Sequence, residues 1–365
     1  MSLLVEMNEK AMKLGIPLSV HIDVTYRCNE RCVHCYLDHD DKGEMTTREI
    51  KDVLDQLAEA GVFFLVFSGG EVFMRRDFLE LVEYARKLLF NVKVKTNGVM
   101  IHEAEAKRLR ELGVEQVQLS VYSHRPEIHD AITKLPGSFK RTIDSIKFLK
   151  SQGLKVTLSN VMMTVNQNDE AGTHSLARQL GVSYTLDPTV TPKMDGDTSI
   201  LSLRVDEEDL DALFADPDLV GEVAEYCKPP APVDNDVMEG YSCSAGHTAC
   251  YISPYGDVFP CVQFPLPTGN VRRQKFADIW YRSPQMHEVR SIKIKDLTVC
   301  SSCAHAGGCT RCPGLAFMEG SMRGPSTADC QKSYHRTGVP SANMLRKAGM
   351  ASGGGRLVQI LPVMA

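Results

Sequence analysis

Short apolar runs alternate with longer amphipathic stretches over residues 17–200. Six runs rich in Val, Ile, Leu and Phe have the length of buried strands, at 18–24, 63–67, 92–96, 116–121, 156–161 and 184–187. Between them, stretches with apolar residues at helical spacing lie at 46–60, 77–89, 102–112, 138–152 and 169–180. Four of these stretches run into a glycine, the usual residue after a helix end: Gly61, Gly113, Gly153 and Gly181. The alternation predicts an α/β fold, a parallel sheet of six strand–helix units that can curl into a partial (β/α)6 TIM-like barrel.

The amino-acid composition of the chain changes after residue 200. An acidic stretch at 206–218 and a proline-rich linker at 229–232 come first, and from residue 241 the chain is rich in cysteine, glycine and proline. This last part has little apolar mass, so it needs metal ligation to be stable. We predict an N-terminal segment (1–16), the α/β domain (17–200), a linker region (201–240), a small cysteine-rich domain (241–335) and a tail (336–365).

Composition excludes several classes of protein. The chain has 365 residues and a net charge of −5, whereas a nucleic-acid-binding protein carries a basic domain. It contains no run of about 18 uncharged apolar residues and no signal-peptide core, so neither a membrane span nor export is expected. Most of its twelve cysteines lie in closely spaced groups, which in such a chain indicates metal ligation in a reducing cytoplasm.

Three cysteines follow the first predicted strand at spacing C-x3-C-x2-C: Cys28, Cys32 and Cys35. Barrel enzymes place their chemistry on such loops, at the C-terminal ends of strands. Clustered thiolates favour zinc or an iron–sulfur cluster, and three of them leave one coordination position open, as a catalytic metal requires. A zinc site completed by His34 is the alternative at this point.

Further motifs stand at the ends of the next strands. Ser68-Gly69-Gly70-Glu71 follows the second strand, and Thr96-Asn97-Gly98 ends the third. With the cysteine loop, they resemble the radical S-adenosylmethionine (SAM) superfamily, whose signature usually has an aromatic residue where this chain has His34.

The resemblance to the radical SAM superfamily implies a cofactor set. It places a [4Fe–4S] cluster on Cys28, Cys32 and Cys35, with the amino and carboxylate groups of SAM on the fourth iron. One electron, from a donor such as flavodoxin or ferredoxin, then cleaves SAM to a 5′-deoxyadenosyl radical. The resemblance also implies SAM contacts for five residues, with Glu71 accepting from the SAM ammonium: Gly69, Gly70, Glu71, Ser120 and Asn160. Capping of a strand end is the alternative for Ser120 and Asn160.

The C-terminal cysteines resemble a SPASM domain, which carries auxiliary iron–sulfur clusters. The resemblance implies two clusters, both [4Fe–4S], the first on Cys243, Cys250, Cys261 and Cys312, and the second on Cys300, Cys303, Cys309 and Cys330. Of the twelve cysteines, only Cys227 is then not assigned to a cluster. For Cys250 the alternative is a buried hydrophobic position on a strand, and for residues 300–312 it is a zinc ribbon.

Radical SAM/SPASM proteins most often modify peptides. The sequence of residues 243–258 resembles that of the pyrroloquinoline quinone and mycofactocin maturases. We therefore expect a radical SAM oxidoreductase that oxidises, decarboxylates or crosslinks a ribosomally made peptide. The first strand begins near residue 18, which leaves no room for a leader-binding domain. We therefore expect either a separate leader-peptide-binding protein that presents the peptide or a substrate without a leader. One alternative is a radical decarboxylase of haem biosynthesis with a porphyrin substrate. Another, a non-catalytic iron–sulfur or zinc scaffold, has no need of the Gly-Gly-Glu motif.

Overall fold

The computed structural model describes residues 3–39, 42–220, 230 and 233–349. Six parallel strands form the first part of the sheet in the predicted order: β1 (Ser19–Thr25), β2 (Phe64–Gly69), β3 (Asn91–Thr96), β4 (Gln116–Ser120), β5 (Lys155–Val161) and β6 (Ser183–Asp187). The predicted α/β fold with a parallel sheet is confirmed.

Helices precede, connect and follow these strands. They are α1 (Leu3–Leu14), α2 (Thr47–Glu59), α3 (Phe78–Lys87), α4 (Glu103–Glu111), α5 (Pro126–Thr133), α6 (Ser138–Ser151), α7 (Glu170–Leu180), α8 (Glu207–Ala215), α9 (Pro217–Val220) and α10 (Asn235–Met238). The sequence predicted no helix where α5 lies. Pro126 occupies the first turn of α5, where a proline fits because its missing N–H has no helical partner there.

The two faces of the sheet have opposite characters, because successive side chains of a strand point to opposite sides. On β1, Val20, Ile22 and Val24 are fully buried in the main apolar cluster, together with residues of α2 and α3. His21 and Asp23 alternate with them and are hydrogen-bonded to each other (Nε2 to Oδ1, 3.0 Å). The apolar face therefore packs under the helices, and the polar face is left for the functional site.

The cysteine-rich part of the chain continues the same sheet. Strands β7 (Ala249–Ile252), β8 (Asp257–Phe259) and β9 (Gly269–Asn270) extend it to the order β6-β5-β4-β3-β2-β1-β7-β8-β9, with β7 parallel to β1. The predicted domain boundary at residue 241 thus lies between β6 and β7, which belong to the same continuous sheet. The remaining helices are α11 (Phe276–Arg282), α12 (Pro284–Ser291), α13 (Pro313–Met318), α14 (Thr327–Thr337) and α15 (Ala342–Lys347).

Three predicted features lie wholly or mostly outside the described residues: Cys227, the proline-rich linker at 229–232, and residues 350–365 of the tail. Of the helices in the described part of the chain, none combines the length and the apolar character needed to cross a membrane.

Candidate active site and metal centres

A cavity of about 340 Å³ lies at the carboxyl ends of strands β1–β6, on the polar face of the sheet. Its lining includes the three cysteines of the first motif and the ends of the neighbouring strands: Cys28, Cys32, Cys35, Ser68, Gly69, Gly70, Thr96, Asn97, Ser120, Ser159 and Asp187. Val262 and Gln263 of the cysteine-rich part also line it. One cavity therefore joins the predicted radical site to the C-terminal domain.

The loop that carries the three cysteines is held by backbone hydrogen bonds to the end of α5. The N–H groups of Arg31 and Val33 donate to the carbonyls of Thr133 and Ile132, each at 3.0 Å. These bonds satisfy carbonyls in the last turn of α5, which otherwise lack partners. The helix that the sequence analysis missed thus fixes the cysteine loop.

Burial controls the protonation of the three thiols. It raises the pKa of Cys28 to about 12, and it also raises the pKa values of Cys32 and Cys35 above that of an ordinary thiol. Thiols with such pKa values are neutral near pH 7, and they become thiolates when a metal binds and displaces the protons. Within the described residues, no three His, Cys, Asp or Glu side chains are close enough to hold a single metal ion.

The two glycines at the end of β2, Gly69 and Gly70, are required by a close approach of backbones. The N–H of Gly70 donates to the carbonyl of Thr25 at 2.8 Å, which brings the end of β2 against the residues before Cys28. A Cβ atom on Gly69 would lie 2.1 Å from the Thr25 oxygen, and one on Gly70 would lie 2.5 Å from the Arg27 oxygen. No side chain fits at either position, so the glycines set the position of the cysteine loop.

Glu71 is fully buried, and its carboxylate binds the protein itself. One oxygen accepts from the N–H of Phe73 at 3.0 Å, the other accepts from the N–H of Asn97 at 2.8 Å, and both accept from the Thr96 hydroxyl at 2.8 Å. Burial raises its pKa, and these hydrogen bonds oppose the rise. The sequence analysis expected the Glu71 carboxylate to accept from the SAM ammonium. In the structure this carboxylate links the ends of β2 and β3.

The anchored strand end reaches the first cysteine. The Asn97 side-chain amide donates to Asn29 Oδ1 at 2.7 Å and lies 3.8 Å from Cys28 Sγ. Glu71 therefore acts on the cysteine loop through Asn97.

Ser120 and Asn160 lie on opposite faces of the sheet. Ser120 lines the cavity. Asn160 is fully buried beside α7, where its amide donates to Glu170 Oε2 at 3.0 Å and to the Tyr184 hydroxyl at 3.1 Å. This position corrects the expected SAM contact for Asn160, because Asn160 faces away from the cavity. The register pairs Ser120 with Ser159, and Ser159 and Val161 are the β5 residues that line the cavity.

Two residues near the cysteines, Tyr122 and Glu30, were not among the predicted site residues. The Tyr122 ring lies edge-on to that of His34, 4.7 Å between centroids, and burial lowers the pKa of His34 to about 4, so the imidazole is neutral. Glu30 is almost fully buried, and burial raises its pKa to about 7. Its carboxylate lies 3.5 Å from Cys32 Sγ. Neither residue belongs to a spacing pattern, so their sequence carried no signal.

A second cavity, of about 290 Å³, fits the second predicted auxiliary cluster. Its lining contains all four of the cysteines assigned to that cluster: Cys300, Cys303, Cys309 and Cys330. Burial raises the pKa values of Cys300, Cys309 and Cys330, which again makes metal binding the route to thiolates. The donor set and the volume suit an iron–sulfur cluster.

The four cysteines assigned to the first auxiliary cluster do not share one environment. Cys243, Cys261 and Cys312 are half-buried. Burial raises the pKa of Cys261 to about 11, and the neighbouring thiols of Cys243 and Cys312 contribute to this rise. Cys250 is buried on β7 within the main apolar cluster. Three thiols are thus brought together, and Cys250 belongs to the hydrophobic core.

Comparison with known proteins gives two family matches. Residues 22–176 match the radical SAM superfamily, and residues 243–304 match SPASM, an iron–sulfur cluster-binding domain. The chain is 30% identical to the mycofactocin maturase MftC of Mycobacterium tuberculosis, over 84% of this chain and 81% of that protein. It is 28% identical to the AdoMet-dependent heme synthase of Oleidesulfovibrio alaskensis, over 82% of this chain and 83% of that protein. Its fold is similar to that of Streptococcus suis SuiB bound to the precursor peptide SuiA, with a TM-score of 0.71 and 18% identity over 90% of this chain and 80% of SuiB.

Proposed function

Because the chain belongs to the radical SAM superfamily and carries a SPASM domain, we propose that it modifies a ribosomally made peptide by oxidation, decarboxylation or crosslinking. Enzymes of this superfamily use an iron–sulfur cluster to cleave SAM reductively, and the resulting 5′-deoxyadenosyl radical abstracts hydrogen from the substrate. The cofactors supply this chemistry, and the protein binds, orients and shields them.

One observation carries the proposal: the cysteine loop, the Gly-Gly turn and Gln263 all line the same cavity. In our assignment Cys28, Cys32 and Cys35 hold the radical-site cluster. The backbone at Gly69 and Gly70 and the hydroxyl of Ser120 contact SAM. Glu71 acts as a positioning residue, because it fixes the strand end that reaches Cys28.

The ring pair beside the cysteines has a role in excluding water. His34 and Tyr122 line the cavity, and burial keeps His34 neutral and raises the pKa of Tyr122, so neither brings a charge. An uncharged aromatic wall suits a flat, apolar part of a cofactor, and it restricts access of water to a radical.

The cysteine-rich part supplies electron carriers in this scheme. Cys300, Cys303, Cys309 and Cys330 would hold one auxiliary cluster at the second cavity, and the cysteines of the first auxiliary group would hold the other. A flavodoxin or ferredoxin is the proposed external donor of electrons. A separate leader-binding protein is the proposed partner that presents the peptide.

The choice of a peptide rests on the relatives. A mycofactocin maturase is 30% identical to this chain, and a structure with a bound precursor peptide has the same fold over 90% of it. A tetrapyrrole is the second candidate substrate, because a heme synthase is 28% identical over a similar share of the chain.

The test is anaerobic turnover by the reconstituted protein with SAM and a chemical reductant. We expect 5′-deoxyadenosine in the wild type and none from Cys32→Ala, because two thiolates cannot hold the cluster. Short peptides encoded beside the gene and a propionate-bearing porphyrin are then added separately, and each is examined for a change of mass.

Each outcome bears on a different part of the proposal. A SAM-dependent mass change in a peptide supports a maturase. A change only in the porphyrin replaces the peptide with a tetrapyrrole substrate. Deoxyadenosine from Cys32→Ala at the wild-type level contradicts the assignment of the cluster ligands.

A further inference from the structure

Lys95 is a cation in the wall of the large cavity. It lies on β3, where Val92 and Val94 belong to the apolar cluster, so Lys95 points to the polar face, and the surface that it exposes is the cavity wall. Among the residues that the structure describes, none forms a hydrogen bond or an ion pair with its ammonium group. Burial lowers its pKa, and the charge of Asp23 opposes this fall. The protein therefore keeps an unpaired charge inside the site, a feature that costs the fold stability and is typical of functional groups.

Gln118 lies beside Lys95. Across the parallel strands β3 and β4 the register pairs Lys95 with Gln118, so the two side chains are neighbours on the polar face, and both line the cavity. In the described part of the chain, no group forms a hydrogen bond with the Gln118 side chain. The amide of Gln116, two residues earlier on β4, instead donates to the Thr157 hydroxyl at 2.6 Å. An ammonium and an amide thus stand side by side in the cavity wall, with N–H groups available to a ligand.

The charges around this pair favour a singly charged anion. Lys193 also lines the cavity, but its ammonium is paired with Asp197 at 2.6 Å. Asp187 lines the cavity too and brings a negative charge to it. A phosphate group, which carries a charge of about −1.5 to −2 at pH 7, would meet one unpaired cation and this carboxylate. A carboxylate has one charge and two acceptor oxygens, so one oxygen can accept from Lys95 and the other from Gln118.

From this arrangement we infer that Lys95 and Gln118 form a subsite for a carboxylate of the substrate. The inference rests on the proposed function and narrows it: the substrate is an acid, and its carboxylate belongs either to a peptide or to the propionate of a tetrapyrrole. The charge-assisted hydrogen bond to the ammonium is strong because the cavity is partly shielded from water. Fixing the acid group in the same cavity as Cys28, Cys32 and Cys35 also fixes which C–H bond of the substrate lies near the radical site.

The test measures binding by the reconstituted full-length protein in the presence of SAM and without a reductant, so no turnover is needed. Two matched pairs serve as probes. One is a propionate-bearing porphyrin and its methyl ester, and the other is a short peptide encoded beside the gene and a copy of it in which every carboxyl group is an amide. In one pair, which identifies the source of the carboxylate, the wild type should bind the acid about 10- to 100-fold more tightly than the neutral partner. Lys95→Met should bind both members of that pair equally.

Three further variants separate the charge of Lys95 from its bulk. Lys95→Arg keeps a positive charge and should keep the preference for the acid. Lys193→Met, the matched control, removes a cavity lysine that is already paired, so it should keep the preference as well. Gln118→Leu removes the amide but not the cation, and it should reduce the preference by about 2- to 10-fold. Because Lys95 forms no hydrogen bond or ion pair with the described residues, Lys95→Met should fold like the wild type, and its urea midpoint checks this.

Several results would overturn the inference. If acid and neutral partner bind the wild type equally, or if the preference survives in Lys95→Met, these residues do not bind a carboxylate of the substrate. If Lys95→Met loses SAM affinity by the same factor, measured by equilibrium dialysis, Lys95 pairs with the carboxylate of SAM instead. If no member of either pair binds, the proposed substrates are wrong, and the inference that rests on them fails too. Failure of the radical chemistry is seen separately, as an absence of 5′-deoxyadenosine from the reduced enzyme, on which none of these titrations depends.

Discussion

Replacing Glu71 tests whether this carboxylate binds SAM or positions the cysteine loop. In Glu71→Ala the hydroxyl of Thr96 can turn to another acceptor, but the N–H groups of Phe73 and Asn97 lose theirs. A buried donor without an acceptor costs about 1–3 kcal/mol, so two of them cost about 2–6 kcal/mol. Burial also raises the pKa of Glu71, which means that the ionised carboxylate carries a desolvation cost that alanine removes. We therefore expect a net loss near the lower end, about 2–3 kcal/mol.

This loss should appear at the cysteine loop, because Asn97 connects the strand end to Asn29 and Cys28. The measurements are iron retained after a chelator challenge and SAM affinity by equilibrium dialysis. In Glu71→Ala both should fall together. Thr96→Val is the matched control, since it removes one hydroxyl but leaves the carboxylate to accept from both N–H groups, and it should lose less iron.

Two results would refute this argument. If Glu71→Ala keeps wild-type iron and loses only SAM affinity, the carboxylate binds SAM directly, as the sequence motif suggested. If iron retention and SAM affinity are both unchanged, the hydrogen bonds of Glu71 do not support the loop at all.

Three further predictions concern the same domain. Ser120→Ala should weaken SAM binding, whereas Asn160→Ala should leave SAM affinity unchanged and lower the urea midpoint; equal SAM affinities in the two variants would contradict the assignment of faces. Gly70→Ala should lower the iron content, because its Cβ would lie 2.5 Å from the Arg27 oxygen, and wild-type iron would show that the loop can shift without cost. Burial raises the pKa of Glu170 from 4.5 to about 7, so its contribution to stability is present below pH 4.5 and is lost as the pH rises to about 7. This shift corresponds to about 3 kcal/mol, so the wild type should lose more of its urea midpoint than Glu170→Gln between pH 5.5 and pH 8, and equal losses would contradict it.

The sequence predicted the strands and most of the helices of the first domain because their signals are local. Buried parallel strands are continuous apolar runs, and glycines mark the helix ends. Helix α5 was missed because it has only eight residues, and its last turn is fixed by hydrogen bonds from Arg31 and Val33, a contact that no local pattern reports.

Only some of the candidate site residues were predicted correctly, because a shift of one residue along a strand moves a side chain to the other face of the sheet. The resemblance to the superfamily implied SAM contacts for Ser120 and Asn160, but the register aligns Ser120 with Ser159. The same alternation directs Cys250 into the core and Tyr251 to the polar face. Such choices depend on pairings between distant strands, and the sequence alone does not supply the register.

The pairing of β7 with β1 also constrains how the protein is made. Val20 and Cys250 are paired although they are 230 positions apart, so β1 emerges from the ribosome long before its second neighbour exists. At about 5–20 residues per second, the delay is roughly 10–50 s. Throughout that time the backbone of β1 on the β7 side is an open edge beside the apolar residues Val20 and Ile22, which invites pairing with other nascent chains. We therefore expect slower translation to lower the soluble yield, and chaperones that shield strand edges to restore it.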